Sequence, residues 1–266
     1  MIVLKFGGTS VGTPTSIKRV IDIIKANDAE QLAKGHRHIT VVFSAFAGAT
    51  NMLLKLGRTA QERGDWQSSY EELAQRHMDA IKELVPEAAQ ARACAHVTAQ
   101  LGELVNYLKG VSCLREFSSR TMALVVSFGE RLSAYIIHEA LKVHIPDVEF
   151  LDSRLVVVTD ETFDDANVDF SATTAKMKAY FGAHPGLQCV TGFIGASHSG
   201  ETTCLGRGAG DYSAAIVGSC LDAEEIHIWT DVPGVLTADP RVVGQDAAQP
   251  IKTLTYEEAL EFTHFG

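Results

Sequence analysis

Short apolar strands that alternate with a helical segment constrain this chain more than any other feature. Ile2–Phe6 and Ile39–Phe43 are short apolar runs, and the second is rich in β-branched residues. Between them, apolar residues from Ile17 to Ile24 recur at the spacing of one helix face. A strand, a crossover helix and a second strand are typical of a parallel sheet covered by helices. The sequence therefore predicts an α/β fold.

A long helical region follows the second strand. Residues 51–110 keep a helical periodicity, and Pro86 marks a break between two apolar stripes. This pattern predicts two antiparallel helices inserted into the α/β domain. A turn at 197–201 predicts a hairpin, and Thr255–Glu258 has the capping-box pattern that begins a helix. Later patterns predict helices over 130–142, 171–181 and 211–221, and strands over 148–151, 155–158, 188–194 and 225–230.

Composition excludes several classes of function. The 266 residues carry a formal net charge of −10, which argues against a broad nucleic-acid-binding surface. The five cysteines are odd in number and have no C-x-x-C spacing, so we expect reduced thiols in a cytoplasmic protein. The opening Met1–Phe6 is too short for the apolar part of a signal peptide, and no run approaches a membrane span.

Two glycine-rich segments have the pattern of phosphate-binding loops. Lys5–Ser10 places a lysine before two glycines, which let backbone N–H groups approach an anion. A P-loop has its lysine after the glycines, so this segment is a different arrangement. Leu205–Ser213 has three alternating glycines before a predicted helix, and Arg207 within it could clamp a carboxylate or phosphate. The alternatives are a plain turn with a solvated lysine and a flexible loop.

Two more segments carry candidate ligand-binding residues. Gly129-Glu130 is predicted at the start of a helix, where the carboxylate would face a ligand ammonium group or else interact with the helix dipole. Trp229–Arg241 combines a strand end, a Pro-Gly turn and an Ala-Asp-Pro-Arg sequence. The spacing of this second segment does not identify its ligand.

Taken together, the motifs resemble the catalytic domain of the aspartokinases, within the amino-acid kinase superfamily. The resemblance extends over essentially the whole chain and implies a three-layer α/β sandwich with a central, mostly parallel sheet. The segments that carry it occur in the family's order: Lys5–Val11, Ser44–Asn51, Phe128–Glu130, Gly206–Ala214 and Trp229–Arg241.

The resemblance implies a role for each matching residue. Lys5 would neutralise the transferring phosphoryl group, and Asp211 would orient that lysine. Thr50 and Glu130 would bind L-aspartate, with Glu130 at its α-ammonium, and Arg207 would clamp its α-carboxylate. The residues expected to contact ATP are Lys5, Gly7, Gly8, Ser10, Thr230, Asp231, Asp239, Pro240 and Arg241. Mg²⁺ would arrive on the nucleotide, and no metal site built by the protein is expected.

The sequence departs from the family pattern at three places. Gly210 stands where the family has a serine, and Leu236 where an aromatic residue is common. The family continues beyond Phe265-Gly266 with a lysine that contacts ATP. We therefore expect a truncated domain without regulatory ACT domains, divided into an amino-acid-binding lobe over 1–186 and a nucleotide-binding lobe over 187–266.

The function implied is phosphorylation of the side-chain carboxylate of L-aspartate by ATP, the first step of lysine, threonine and methionine biosynthesis. Such an acceptor is already ionised at neutral pH, so the chemistry needs positioning and charge neutralisation rather than a general base. The full-length protein would be a homodimer or higher homo-oligomer. Two alternatives stay open: a kinase of the same superfamily acting on glutamate, acetylglutamate or UMP, and a ligand-binding relative without catalysis.

Overall fold

The computed structural model describes residues 1–206, 208–244 and 246–265, with side chains of the last helix described to Phe262. The strands are β1 Ile2–Phe6, β2 Thr40–Phe43, β3 Glu149–Leu151, β4 Val158–Thr159, β5 Gln188–Thr191, β6 Ile194–Ser197, β7 Thr202–Cys204 and β8 Glu225–Trp229. The helices are α1 Pro14–Ala33, α2 Ala49–Gln61, α3 Gln67–Leu84, α4 Glu87–Leu114, α5 Ser119–Leu141, α6 Phe170–Ala183, α7 Ala209–Cys220, α8 Pro240–Val243 and α9 Tyr256–Phe265.

The central sheet has the strand order β3-β5-β2-β1-β8, and all of its pairs are parallel. A smaller sheet has the order β4-β6-β7, with the predicted hairpin as its antiparallel pair. Since parallel strands end at the same edge, the loops that follow β1, β2 and β5 meet there. The predicted, mostly parallel α/β architecture is confirmed.

Alternation along β1 places one apolar core on each face of the central sheet. Leu4 belongs to the core that includes α1 and α5, whereas Val3 belongs to the core that includes α6 and α7. Neighbouring residues of a strand point to opposite faces, so a short apolar strand fills both layers at once. Two helical layers around one sheet give the three-layer sandwich that the resemblance implied.

The helical insertion contains the two predicted helices, which are α3 and α4, joined at Val85-Pro86. The separate helix α2 precedes them, because the chain leaves the helical conformation between Gln61 and Gln67. Arg63 has a positive φ of 59° in this connection, which is typical of a helix end. In the described part of the chain, no helix is both long enough and apolar enough to cross a bilayer.

Two predicted strands differ in the structure. The strand expected over 155–158 is reduced to β4, because Ser153–Leu155 forms a 3-10 turn whose first N–H group donates to the Thr191 hydroxyl. The strand expected over 188–194 is divided into β5 and β6 at Gly192. The N–H of Gly192 donates to Phe43 O at 2.8 Å, which closes the central sheet there and lets the chain enter the smaller sheet.

Contacts divide the chain into two compact units, Met1–Trp229 and Thr230–Gly266. In the second unit, the capping box at Thr255 is confirmed: the Thr255 hydroxyl accepts the Glu258 N–H, and the Glu258 carboxylate accepts the Thr255 N–H. The predicted lobe boundary near residue 187 remains a prediction.

Replacing Gly186 by alanine is expected to destabilise the protein by about 1–3 kcal/mol, because the new methyl group would overpack its surroundings. A Cβ at Gly186 would lie 2.0 Å from the carbonyl oxygen of Asp147, just before β3 and β5 pair. The measurement is the urea midpoint of unfolding.

The matched control is Gly102→Ala in α4, where a Cβ would meet nothing within 4 Å. This change should stabilise the protein by about 0.5–1 kcal/mol, since alanine is the better helix former. Equal urea midpoints for the two variants would contradict the packing described around Gly186.

Candidate active site

A cleft of about 850 Å³ opens where β1 and β2 end. Its size falls in the usual range for small-molecule sites. Its walls come from the loops after β1, β2 and β5, from helices α2 and α5, and from the first turn of α7. The predicted site residues that line it are Lys5, Gly8, Thr50, Glu130 and Asp211.

The lysine before the glycines forms an ion pair inside this cleft. Lys5 Nζ lies 2.6 Å from Asp211 Oδ1, and only 12% of the lysine side chain is exposed. The pair joins the end of β1 to the first turn of α7. A Cβ at Gly210 would lie 3.1 Å from Lys5 Cε and 3.0 Å from Ser44 Oγ. Gly210, which stands where the family pattern has a serine, therefore leaves room for the lysine to pass along α7.

The turn after β1 is built from small residues that touch the next loop. A Cβ at Gly8 would lie 3.2 Å from the carbonyl oxygen of Ala45, so any side chain there would push the two loops apart. Gly7 lies beside Lys5, since a Cβ on it would be 3.2 Å from Nζ. Gly7 and Ser10 belong to the same turn as Gly8, but they are outside the cleft lining.

Glycine N-caps begin the two helices whose first turns face the cleft. Gly48 before α2 has φ 79°, and Gly208 before α7 has φ 75°. Neither cap has a side chain that could accept a hydrogen bond from the first-turn N–H groups, so both helix ends remain attractive to anions. Thr50 lies in the first turn of α2. Arg207, predicted to bind the substrate carboxylate, lies outside the described residues.

Glu130 occupies the middle of a helix rather than its start, so the predicted helix boundary at residue 130 was wrong. Helix α5 begins at Ser119, where the Ser118 hydroxyl accepts the Thr121 N–H as an N-cap. The apolar and β-branched residues before Glu130 give only a weak helix signal in the sequence, but packing in the core stabilises them in a helix.

The Glu130 carboxyl group is buried and only half paired. Its residue is 4% exposed, Oε1 accepts the Ala45 N–H at 3.2 Å, and Oε2 has no hydrogen-bond partner among the described residues. Burial raises the pKa of Glu130 from 4.5 to about 8, although the bond from Ala45 opposes this shift. The carboxyl group is therefore mostly protonated at neutral pH, and a cation entering the cleft would favour its ionised form.

Sequence reasoning missed two other charged residues that line the cleft. Arg58 of α2 and Asp164, before α6, both line it, as does Met122 of α5. Arg58 follows Thr50 by eight residues, close to two helical turns, so the two share one face of α2. This spacing could have identified Arg58. Asp164 lies in a loop and has no such periodic signal.

Five of the residues predicted to contact ATP belong to the second compact unit. Asp239 is the N-cap of α8: its carboxylate accepts the Arg241 N–H at 2.8 Å and pairs with the Arg241 guanidinium at 2.7 Å. This hydrogen bonding lowers the pKa of Asp239. The Thr230 hydroxyl donates to Asp231 Oδ1 at 3.1 Å, and Pro240 is the first residue of α8. Their predicted contacts with ATP remain predictions.

Replacing Glu130 by glutamine should make the protein relatively more stable as the pH rises. Between pH 4.5 and about 8, the unfolded Glu130 loses its proton while the folded one keeps it, so the parent protein loses stability. The glutamine variant lacks this loss. Its advantage should grow by ~1.4 kcal/mol for each pH unit inside this window and then stay constant.

The check is a series of urea unfolding curves between pH 4.5 and 9. Glu257→Gln, which changes an exposed carboxylate in α9, is the control and should show no such trend. A constant difference between Glu130→Gln and the parent over the whole range would contradict the raised pKa.

Comparison with known proteins places the chain in a family. Residues 1–266 match the profile of the "Amino acid kinase family". The aspartokinase of Chlamydia trachomatis is 34% identical over 265 residues, which are 100% of this chain and 56% of that protein. Lysine-sensitive aspartokinase 3 of Escherichia coli K12 is 34% identical over 273 residues, again with 100% and 56% covered.

Among solved structures, aspartokinase III of Escherichia coli in complex with aspartate and ADP superposes with a TM-score of 0.83 at 30% identity. The match covers 100% of this chain and 56% of that chain. This chain thus spans about half the length of these relatives, and the resemblance to aspartokinases seen in its motifs is confirmed. The chain belongs to the amino acid kinase family.

Proposed function

We propose that this chain is the catalytic domain of an aspartokinase, which transfers the γ-phosphoryl group of MgATP to the side-chain carboxylate of L-aspartate. The products are 4-phospho-L-aspartate and ADP, and the reaction opens lysine, threonine and methionine biosynthesis. The observation that carries the proposal is that one cleft contains two groups suited to the two substrates. The Lys5 ammonium lies beside a glycine turn, and the buried carboxyl group of Glu130 has one oxygen without a partner among the described residues.

The proposed chemistry needs no general base. The side-chain carboxylate of aspartate has a pKa of about 3.9 and is ionised at neutral pH. One of its oxygens attacks the γ-phosphorus, the bond from that phosphorus to the bridging oxygen breaks, and ADP leaves with the electron pair. The obstacle is repulsion between two anions. Lys5, held by Asp211, and the N-termini of α2 and α7 would supply compensating positive potential.

Glu130 would recognise the α-ammonium group of the amino acid. The ammonium would pair with the unpartnered Oε2 and offset the burial that keeps the carboxyl group protonated in the empty cleft. Thr50 lies close by, because a Cβ at Gly129 would be 3.9 Å from its hydroxyl oxygen. The assignment of Arg207 to the α-carboxylate remains a prediction from sequence.

Nucleotide binding extends the proposal to the second compact unit. Thr230, Asp231, Asp239, Pro240 and Arg241 would contact ATP, together with the backbone of Gly7, Gly8 and Ser10. Mg²⁺ would arrive as part of the nucleotide substrate. Within the described residues no cluster of His, Cys, Asp or Glu could hold a metal ion by itself. A cytoplasmic location and a homo-oligomeric full-length protein are further parts of the proposal.

The purified protein should form ADP from MgATP when L-aspartate is added, and far less with glutamate, acetylglutamate or UMP. One more methylene group in the acceptor should cost about 10- to 200-fold in kcat/KM, because the γ-phosphate would no longer meet the carboxylate. The acyl phosphate is trapped as its hydroxamate with hydroxylamine. Faster turnover with another acceptor would show that L-aspartate is not the substrate. Binding without turnover would indicate a non-catalytic relative.

Lys5→Met should lower kcat by about 10²-fold or more, because the variant loses a preorganised positive charge at the transferring group. The fold should persist, since a methionine fits the same strand position. Lys25→Met, which removes a partly exposed lysine paired with Asp22 on α1, is the matched control and should keep parental kcat. A Lys5→Met enzyme with near-parental kcat would show that Lys5 does not assist phosphoryl transfer.

A further inference from the structure

We propose that Arg76, on helix α3, is a positioning residue that ties together the two loops forming one wall of the cleft. The glycine loop is residues 7–12 after β1, and the alanine loop is Ser44–Gly48 after β2. Arg76 Nη1 donates to the carbonyl oxygen of Ala47 at 2.6 Å, and Nη2 donates to that of Gly12 at 3.1 Å. The inference rests on the proposed function, because it gives these loops their catalytic purpose.

Besides the buried side chains of Val11 and Phe46, which pack in the core, the two loops contact each other directly. They meet through small residues: a Cβ at Gly8 would lie 3.2 Å from Ala45 O, and one at Gly12 would lie 3.2 Å from the Cβ of Ala47. Such close backbone contact leaves few side-chain atoms for van der Waals attraction. A guanidinium with a planar fork of donors can bond one carbonyl from each loop at once, which a single ammonium group cannot do with the same geometry.

Helix α3 also packs against the aromatic residue of the alanine loop, Phe46. The Phe46 ring is 3% exposed, with the Arg76 guanidinium 5.8 Å from its centroid and the His77 ring stacked on it at 5.0 Å. His77 donates from Nδ1 to Leu73 O at 2.7 Å, and burial lowers its pKa to about 4. His77 therefore remains neutral and packs as an aromatic ring.

The consequences of this clamp reach the cleft through the backbone. Ala45, next to Phe46, donates its N–H to Glu130, and Gly8 lines the cleft beside Lys5. Arg76 lines a different cavity, of about 460 Å³, behind these loops and is outside the cleft lining. Arg76 thus acts through the loops. A displacement of about 1 Å between bound reactants can cost 10²-fold in rate, so a loose clamp should slow catalysis.

The test compares Arg76→Gln and Arg76→Lys with Lys82→Gln, a control that changes an exposed cation of the same helix. With MgATP and L-aspartate, kcat/KM should fall about 10- to 100-fold in Arg76→Gln and less in Arg76→Lys, which keeps one cationic donor nitrogen. The control should match the parent. Millimolar guanidinium should restore part of the activity of Arg76→Ala, an effect that a purely structural loss would not show.

Hydrogen exchange by mass spectrometry provides a readout that does not depend on the reaction. Amides of residues 8–12 and 45–49 should exchange at least several-fold faster in Arg76→Gln than in the parent, whereas those of β1 and β2 should not change. If the parent phosphorylates no aspartate but the loops still loosen, the proposed function fails and the clamp stands. Unchanged exchange in both loops, or parental kcat/KM in Arg76→Gln, would overturn the inference.

Discussion

Burial of helix α5 is the constraint from which the character of the cleft follows. Every residue from Val125 to Leu141 is buried, because the helix packs among other helices and strands of the domain. Glu130 is carried into that interior by its place in the sequence, and the residue is only 4% exposed although it lines the cleft. A buried carboxylate without a counter-ion is unfavourable, so the Glu130 carboxyl group keeps its proton. In the proposed function, a ligand that brings an ammonium group would remove this cost, and Glu130 would thereby favour such a ligand.

The parallel sheet places a positively charged side chain, that of Lys5, in the same cleft as Glu130. The ends of β1 and β2 meet at one edge, so Lys5 and the two short loops lie within reach of α5 and of the α7 N-terminus. Small residues let these backbones approach closely, but they contribute few contacts of their own. In our proposal, the geometry of this wall depends on a side chain outside the cleft, Arg76. The proposed recognition of the amino acid would then depend on the core residue Glu130, and the proposed positioning of the loops on the more peripheral Arg76.

Much of this arrangement is visible in the sequence. Local sequence patterns predict the alternating strands and helices, the turn after Lys5 and the capping box at Thr255. The structure contains each of them, because local preference and the overall fold agree at these places. The early start of α5 was missed because tertiary burial overrides the strand-like residues before Glu130. Arg76 gives no pattern at all, since its partners are backbone carbonyls 29 and 64 residues away. Such contacts exist only in three dimensions.

The most direct test is calorimetric titration of L-aspartate in buffers of different ionisation enthalpy, which counts the protons released on binding. With a Glu130 pKa of about 8 in the empty cleft, binding of an already protonated ammonium group at pH 7 should release about 0.9 proton per site. The release should fall to near zero as the pH approaches 9. Binding at pH 7 with no proton release would contradict the recognition of the amino acid by a buried, protonated Glu130.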